Sequence, residues 1–109
     1  MTEPGWVYIV RQRGTRYVKI GKTANLPQRL RAVERGGPYL LDVLLAEPVD
    51  HMGIEEDALQ TRYGAYCVRR DWYKLPRALL ADLRAQRALP GSGYNRVRAI
   101  IRGDVQLRL

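Results

Sequence analysis

Very little in this chain can hold a transition metal or close a disulfide. One cysteine, Cys67, has no internal partner, and one histidine, His51, leaves no Cys/His set, so thiol pairing, zinc chemistry and haem ligation all fall away. No apolar run is long enough to cross a bilayer and no secretory leader is visible, so a soluble, cytoplasmic protein with no membrane partner is expected. At 109 residues there is room for one compact domain, which excludes a two-domain enzyme. Lysine is scarce too, since 16 of the 19 basic residues are arginine.

What is abundant is positive charge. Against 11 acidic residues the 19 basic ones leave a net charge of +8, and arginine presents a planar fork that matches phosphate oxygens in pairs. The partner expected is nucleic acid, with a merely solvating coat as the alternative. Residues 1–41 and 76–109 carry the excess, while 42–75 holds seven of the 11 acidic side chains. Two basic regions flanking an acidic middle describe a phosphate-binding surface with carboxylates close by.

Trp6 to Val10 and Arg16 to Ile20 are β-branched and aromatic runs interrupted by Arg11–Thr15, the pattern of a hairpin with a basic loop. Asn25 stands where a helix N-cap belongs, followed by Leu26, Leu30 and Val33 at helical spacing until Gly36-Gly37-Pro38 stops the run. Tyr39–Leu45 reads as a buried third strand. Asp50 is expected to cap a second helix from about Gly53 to Tyr66, acidic at its start as the helix dipole prefers, with a core stripe of Leu59, Tyr63 and Tyr66. Asp71–Leu75 is a short extended segment, with Trp72 and Tyr73 read as core, and Pro76 opens a third helix ended by Pro90-Gly91. The last stretch, 94–109, fits either a short helix or a hairpin turned at Gly103-Asp104. The order implies a small mixed α/β (α+β) domain.

Trp6-Val7-Tyr8 and Lys19-Ile20-Gly21 on the two hairpin strands, then Gly21–Leu26 and Arg29-Leu30, resemble the opening of a GIY-YIG endonuclease domain. Glu56, Leu59 and Tyr63, followed by Asp71-Trp72-Tyr73, resemble the small phage and bacterial branch of that superfamily, in which a helix glutamate precedes a Glu-Trp-Phe-like strand. The resemblance covers about residues 5–75. It implies a three-stranded antiparallel sheet flanked by helices, and a DNA phosphodiester hydrolase using one Mg2+ or Mn2+. Tyr8 would act on the attacking water as general base, Arg29 would steady the phosphate, Glu56 would hold the metal and Gly21 would be the second-motif glycine. In this sequence Lys19 stands in place of the second tyrosine, Gln60 in place of a frequent histidine and Cys67 in place of a common basic residue.

The chemistry is coherent on its own terms. A phosphodiester repels nucleophiles and has a poor leaving group, so charge must be neutralised on both sides, which one metal and one arginine can do. Magnesium keeps most of its waters, so a single glutamate plus the substrate phosphate suffices to hold it. A phenol with a reference pKa of about 10 needs help to act as a base, and Lys19, Lys22 and Arg29 are the candidates to favour the phenolate. Lys22, Arg11, Arg13, Arg16, Arg69 and Arg70 are expected to contact nucleic acid, and Lys19 to take a direct part in the site. His51 is read as an exposed loop residue. Residues 1–75 form the expected catalytic core, and 76–109 a basic extension packed on the same domain, the whole a monomer or weak dimer. A catalytically silent nucleic-acid-binding module is the rival reading, and a protein-binding accessory factor a third.

Overall fold

Gly5–Gln12 (β1) is the centre of the molecule: its first six residues are buried whichever face they point to, so helices must cover both sides of the sheet. A computed structural model describes residues 2–85. Strand β2 (Tyr17–Thr23) pairs antiparallel with β1, and β3 (Leu41–Val49) pairs antiparallel on its other side. Beyond β2 come two short strands, β5 (Trp72–Lys74) and β4 (Cys67–Arg69), giving the order β3-β1-β2-β5-β4, antiparallel throughout. The α+β class with an antiparallel sheet and three helices is as expected, with five strands rather than three.

On one face, Trp6, Tyr8 and Val10 join Leu41 and Val43 beneath Leu26 and Leu30 of helix α1 (Leu26–Arg35). Burying each of those two leucines contributes roughly 1.5–3 kcal/mol. Asn25 caps the helix as its sequence position suggests, its side chain accepting from Gln28 N at 3.2 Å, and Gly36 N closes the other end on Ala32 and Val33 carbonyls. On the opposite face Ile9, Val18, Ile20 and Tyr73 pack with Tyr63, Leu75 and the Leu80 and Leu83 side chains of helix α3 (Arg77–Ala85). A bulge between Ile9 and Val10 admits Leu44 to this second cluster.

Helix α2 (Met52–Arg62) departs from the expected 53–66 span, a separate 3-10 turn taking Gly64–Tyr66. Asp50 does not cap it. Its carbonyl accepts from Glu3 N and Met52 N donates to Glu3 O, so the N-terminal segment fixes the helix start and His51 becomes the capping residue, with no side-chain hydrogen bond. Tyr63 is buried, whereas Leu59 and Tyr66 only border the core. Strand β3 continues to Val49 while Tyr39 and Leu40, expected in it, stay exposed before it. The two conformations considered for 94–109, and the helix stop at Pro90, lie outside the described residues. None of the described helices is long and apolar enough to cross a membrane.

Candidate active site

Tyr8 and Gly21 face each other across the β1–β2 pair. Directly opposed residues share a face, so the phenol lies over the Gly21 backbone; a Cβ at position 21 would come within 2.6 Å of Tyr8 Cε2, and closer still to Cζ and Oη. Only glycine leaves that space. Tyr8 is thereby 1% exposed, with its ring in the α1-side cluster.

The first turn of α1 brings the second group. Arg29 N donates to Asn25 O at 3.1 Å, so the Asn25 cap and the buried Leu26 and Leu30 fix where the Arg29 side chain emerges. Its guanidinium donates to the Tyr8 phenol oxygen while the residue stays exposed, which leaves donors for a ligand. A cavity of about 270 Å³ lined by Thr23, Asn25, Gln28, Arg29 and Ala32 opens beside it.

Glu56, on α2, supplies the carboxylate. It is half-buried, and burial pushes its pKa above the ordinary 4.5; Lys22 pulls the other way, Asp57 and Asp71 push further up, and Arg29 pulls weakly down. Lys22 Nζ itself stands 3.8 Å from Glu3 Oε1. Glu56 has neither a hydrogen bond nor an ion pair among the described residues, and partial burial is the main cause of its raised pKa, which the positive charge of Lys22 opposes. No group of three His, Cys, Asp or Glu gathers among the described residues. A cation held by Glu56 would have to keep most of its own waters.

Asp71 is the member that sequence reasoning passed over. Ile20 N donates to its carbonyl at 3.1 Å, and its carboxylate takes Lys19 Nζ at 2.6 Å. Its charge raises the pKa of Tyr8, Glu56 and Tyr73 alike, so it belongs to the same electrostatic neighbourhood. Lys19 lies 5.5 Å from the centre of the Trp72 ring, opposite it across β2 and β5. The signal was the acidic residue at the head of Asp71-Trp72-Tyr73, in the place of the first residue of a Glu-Trp-Phe-like strand.

The expectation that cationic neighbours favour the phenolate is corrected by the fold. Tyr8 is pushed up to about 12, first by burial; Arg29 lowers it, but Asp71 and Glu56 raise it further. Lys19 is spent on Asp71, and Lys22 acts on Glu56. At neutral pH Tyr8 is a neutral phenol.

Other expected contacts scatter. Arg11 sits three residues from Tyr8 on the same strand and so on the other face, where it pairs with Asp42 at 2.6 Å. Arg13 and Arg16 occupy the β1–β2 turn, Arg16 five residues before Gly21 and about 17 Å away along the strand. Arg69 and Arg70 are exposed at the β4–β5 turn, Arg70 in the left-handed region at φ 52°. Gln60 is half-buried one turn beyond Glu56, Cys67 is exposed with its Sγ donating to Arg70 O, and His51 is exposed as read. Trp72 is half-buried and Tyr73 fully buried.

A buried phenol, an exposed arginine and a half-buried glutamate that influence one another electrostatically sit on a small α+β domain with a short antiparallel sheet. A T5orf172 domain is matched over residues 5–89, and the chain belongs to that family. No curated protein and no solved structure matches it.

Proposed function

We propose that this T5orf172 domain is a metal-dependent nuclease of GIY-YIG type that hydrolyses DNA phosphodiester bonds. The observation that carries the reading is the Tyr8–Arg29 hydrogen bond with Glu56 and Asp71 close enough to shift the same phenol. Arg29 holds the phenol oxygen with one donor and offers the others to a phosphate. Glu56 would hold Mg2+ or Mn2+, which when bound supplies Lewis-acid polarisation of a phosphoryl oxygen and cancels the carboxylate charge that raises Tyr8. Tyr8, a neutral phenol before substrate arrives, would position the attacking water through its hydroxyl, since burial, the largest cause of its raised pKa, does not depend on the Glu56 charge. Lys19 keeps Asp71 from adding a free negative charge where a phosphate must enter.

One observation favours the silent-module reading: the lysine standing where the motif has its second tyrosine is locked to Asp71. Such a module would bind DNA in chelator and cleave nothing. Nicking of supercoiled plasmid with magnesium and with EDTA separates the two. Magnesium-dependent nicking that Glu56→Ala abolishes is expected; no nicking by the wild type, or equal nicking by the variant, overturns the enzyme.

A further inference from the structure

A second opening among the described residues lies on the other face of the sheet from Tyr8. A cleft of about 530 Å³ runs between the β1–β2 turn and α3, lined by Arg11, Arg16, Lys74, Arg77 and Arg84 together with Gly14, Thr15, Leu80 and Ala81. Arg77, Leu80, Ala81 and Arg84 recur at i, i+3, i+4 and i+7, so one stripe of α3 makes a whole wall with an arginine at each end.

We propose that this cleft is a second anion site that binds a run of two or more phosphates. Among the described residues its lining holds five cations and no carboxylate. Gathering like charges around one hollow costs repulsion that a multiply charged anion reverses. Arg11 is set in place for this: Nη2 is held by Asp42 at 2.6 Å, while Nε is buried with no acceptor among the described residues. The fold orients that guanidinium without saturating it. Among the described residues no aromatic side chain lines the cleft to stack a base, which favours phosphate over nucleobase as the chemistry recognised. The volume falls within the ~300–1,000 Å³ usual for ligand pockets. The phosphates come either from a nucleic-acid strand or from a free oligophosphate. The strand source rests on the DNA-binding reading above and would make the cleft a second hold on substrate, remote from the bond broken.

The probes are tripolyphosphate, by calorimetry, and a labelled single-stranded oligodeoxynucleotide, by fluorescence anisotropy. Both are used in EDTA so that cleavage plays no part. Arg16→Ala/Arg77→Ala removes two exposed donors, and Ala81→Glu places a carboxylate in the cleft from an exposed helix position. Each is checked for an unchanged thermal melt. At least ~tenfold weaker binding of one probe is expected in both variants, as for the loss of charge-assisted contacts. For the strand, the slope of log K against log salt should also fall by about 1.4 in the double variant, two contacts at ~0.7 each. Loss confined to tripolyphosphate assigns a free oligophosphate, and loss for the oligonucleotide assigns a strand. If neither probe responds to either variant, the proposal is wrong, whatever the plasmid assay shows.

Discussion

Gly21→Ala tests the strand geometry on which the candidate site rests. The new Cβ would stand 2.6 Å from Tyr8 Cε2, about 1 Å short of the ~3.5–4.0 Å at which carbon atoms rest in contact. The phenol has little room to retreat, being 1% exposed and packed in a cluster with Trp6, Val10, Leu26 and Leu30. Overpacking of this kind costs ~1–3 kcal/mol, offset by ~0.4–1 kcal/mol because alanine narrows the unfolded ensemble. A net loss of ~1–2 kcal/mol corresponds to a fall in Tm of roughly 5–10 °C for a domain of this size. Gly14→Ala is the comparison: φ is +83° there and nothing lies within 4 Å, so its cost of ~1 kcal/mol is purely backbone. Thermal melts followed by circular dichroism read both. Only Gly21→Ala should also displace the Tyr8 phenol toward water and bring its ionisation down toward 10. A Gly21→Ala protein as stable as the wild type, with Tyr8 still ionising near 12, would refute the placement of the ring over that glycine.

Three further outcomes follow from the charges. Because the folded state raises Tyr8 from 10.0 to about 12, it binds the phenol proton more tightly than the unfolded chain does. Stability from this group is complete below pH 10 and is lost as pH rises toward 12, and denaturant titrations of Tyr8→Phe should lack that part of the decline. Burial raises the Glu56 pKa, so its charge works against the fold as pH climbs through and above 4.5. Glu56→Gln should therefore match or exceed wild-type stability at pH 7 while losing metal-dependent nicking. Lys19→Met strands the partly buried Asp71 carboxylate and should cost ~1–2 kcal/mol, whereas Lys19→Met/Asp71→Asn recovers part of that loss in urea melts.

Local chemistry made much of the fold readable. A cap such as Asn25, a stop such as Gly36 and the β-branched and aromatic runs of the hairpin strands each act within a few residues, and all three appear where the sequence puts them. The β4 strand has no such signal: its three residues are all exposed, and only pairing with β5 defines it. Likewise the start of α2 is set by Glu3, nearly fifty residues upstream, and not by a neighbouring side chain. In the site, the glycine opposite Tyr8 was legible as a motif, but the sign of the Tyr8 shift was not. Counting nearby cations predicts a lowered pKa, whereas the desolvation of a ring sealed under α1 outweighs the Arg29 charge. Asp71 escaped for the same reason, since its link to Lys19 exists only once β5 lies beside β2.

The central claim is that Tyr8 and Arg29 act as one unit on one phosphate. Single-turnover nicking rates for Tyr8→Phe, Arg29→Ala and the double variant test it most directly. Groups that work together are non-additive, so the double variant should be no slower than the worse single one. Rate losses that multiply, as for two independent sites, would contradict the account.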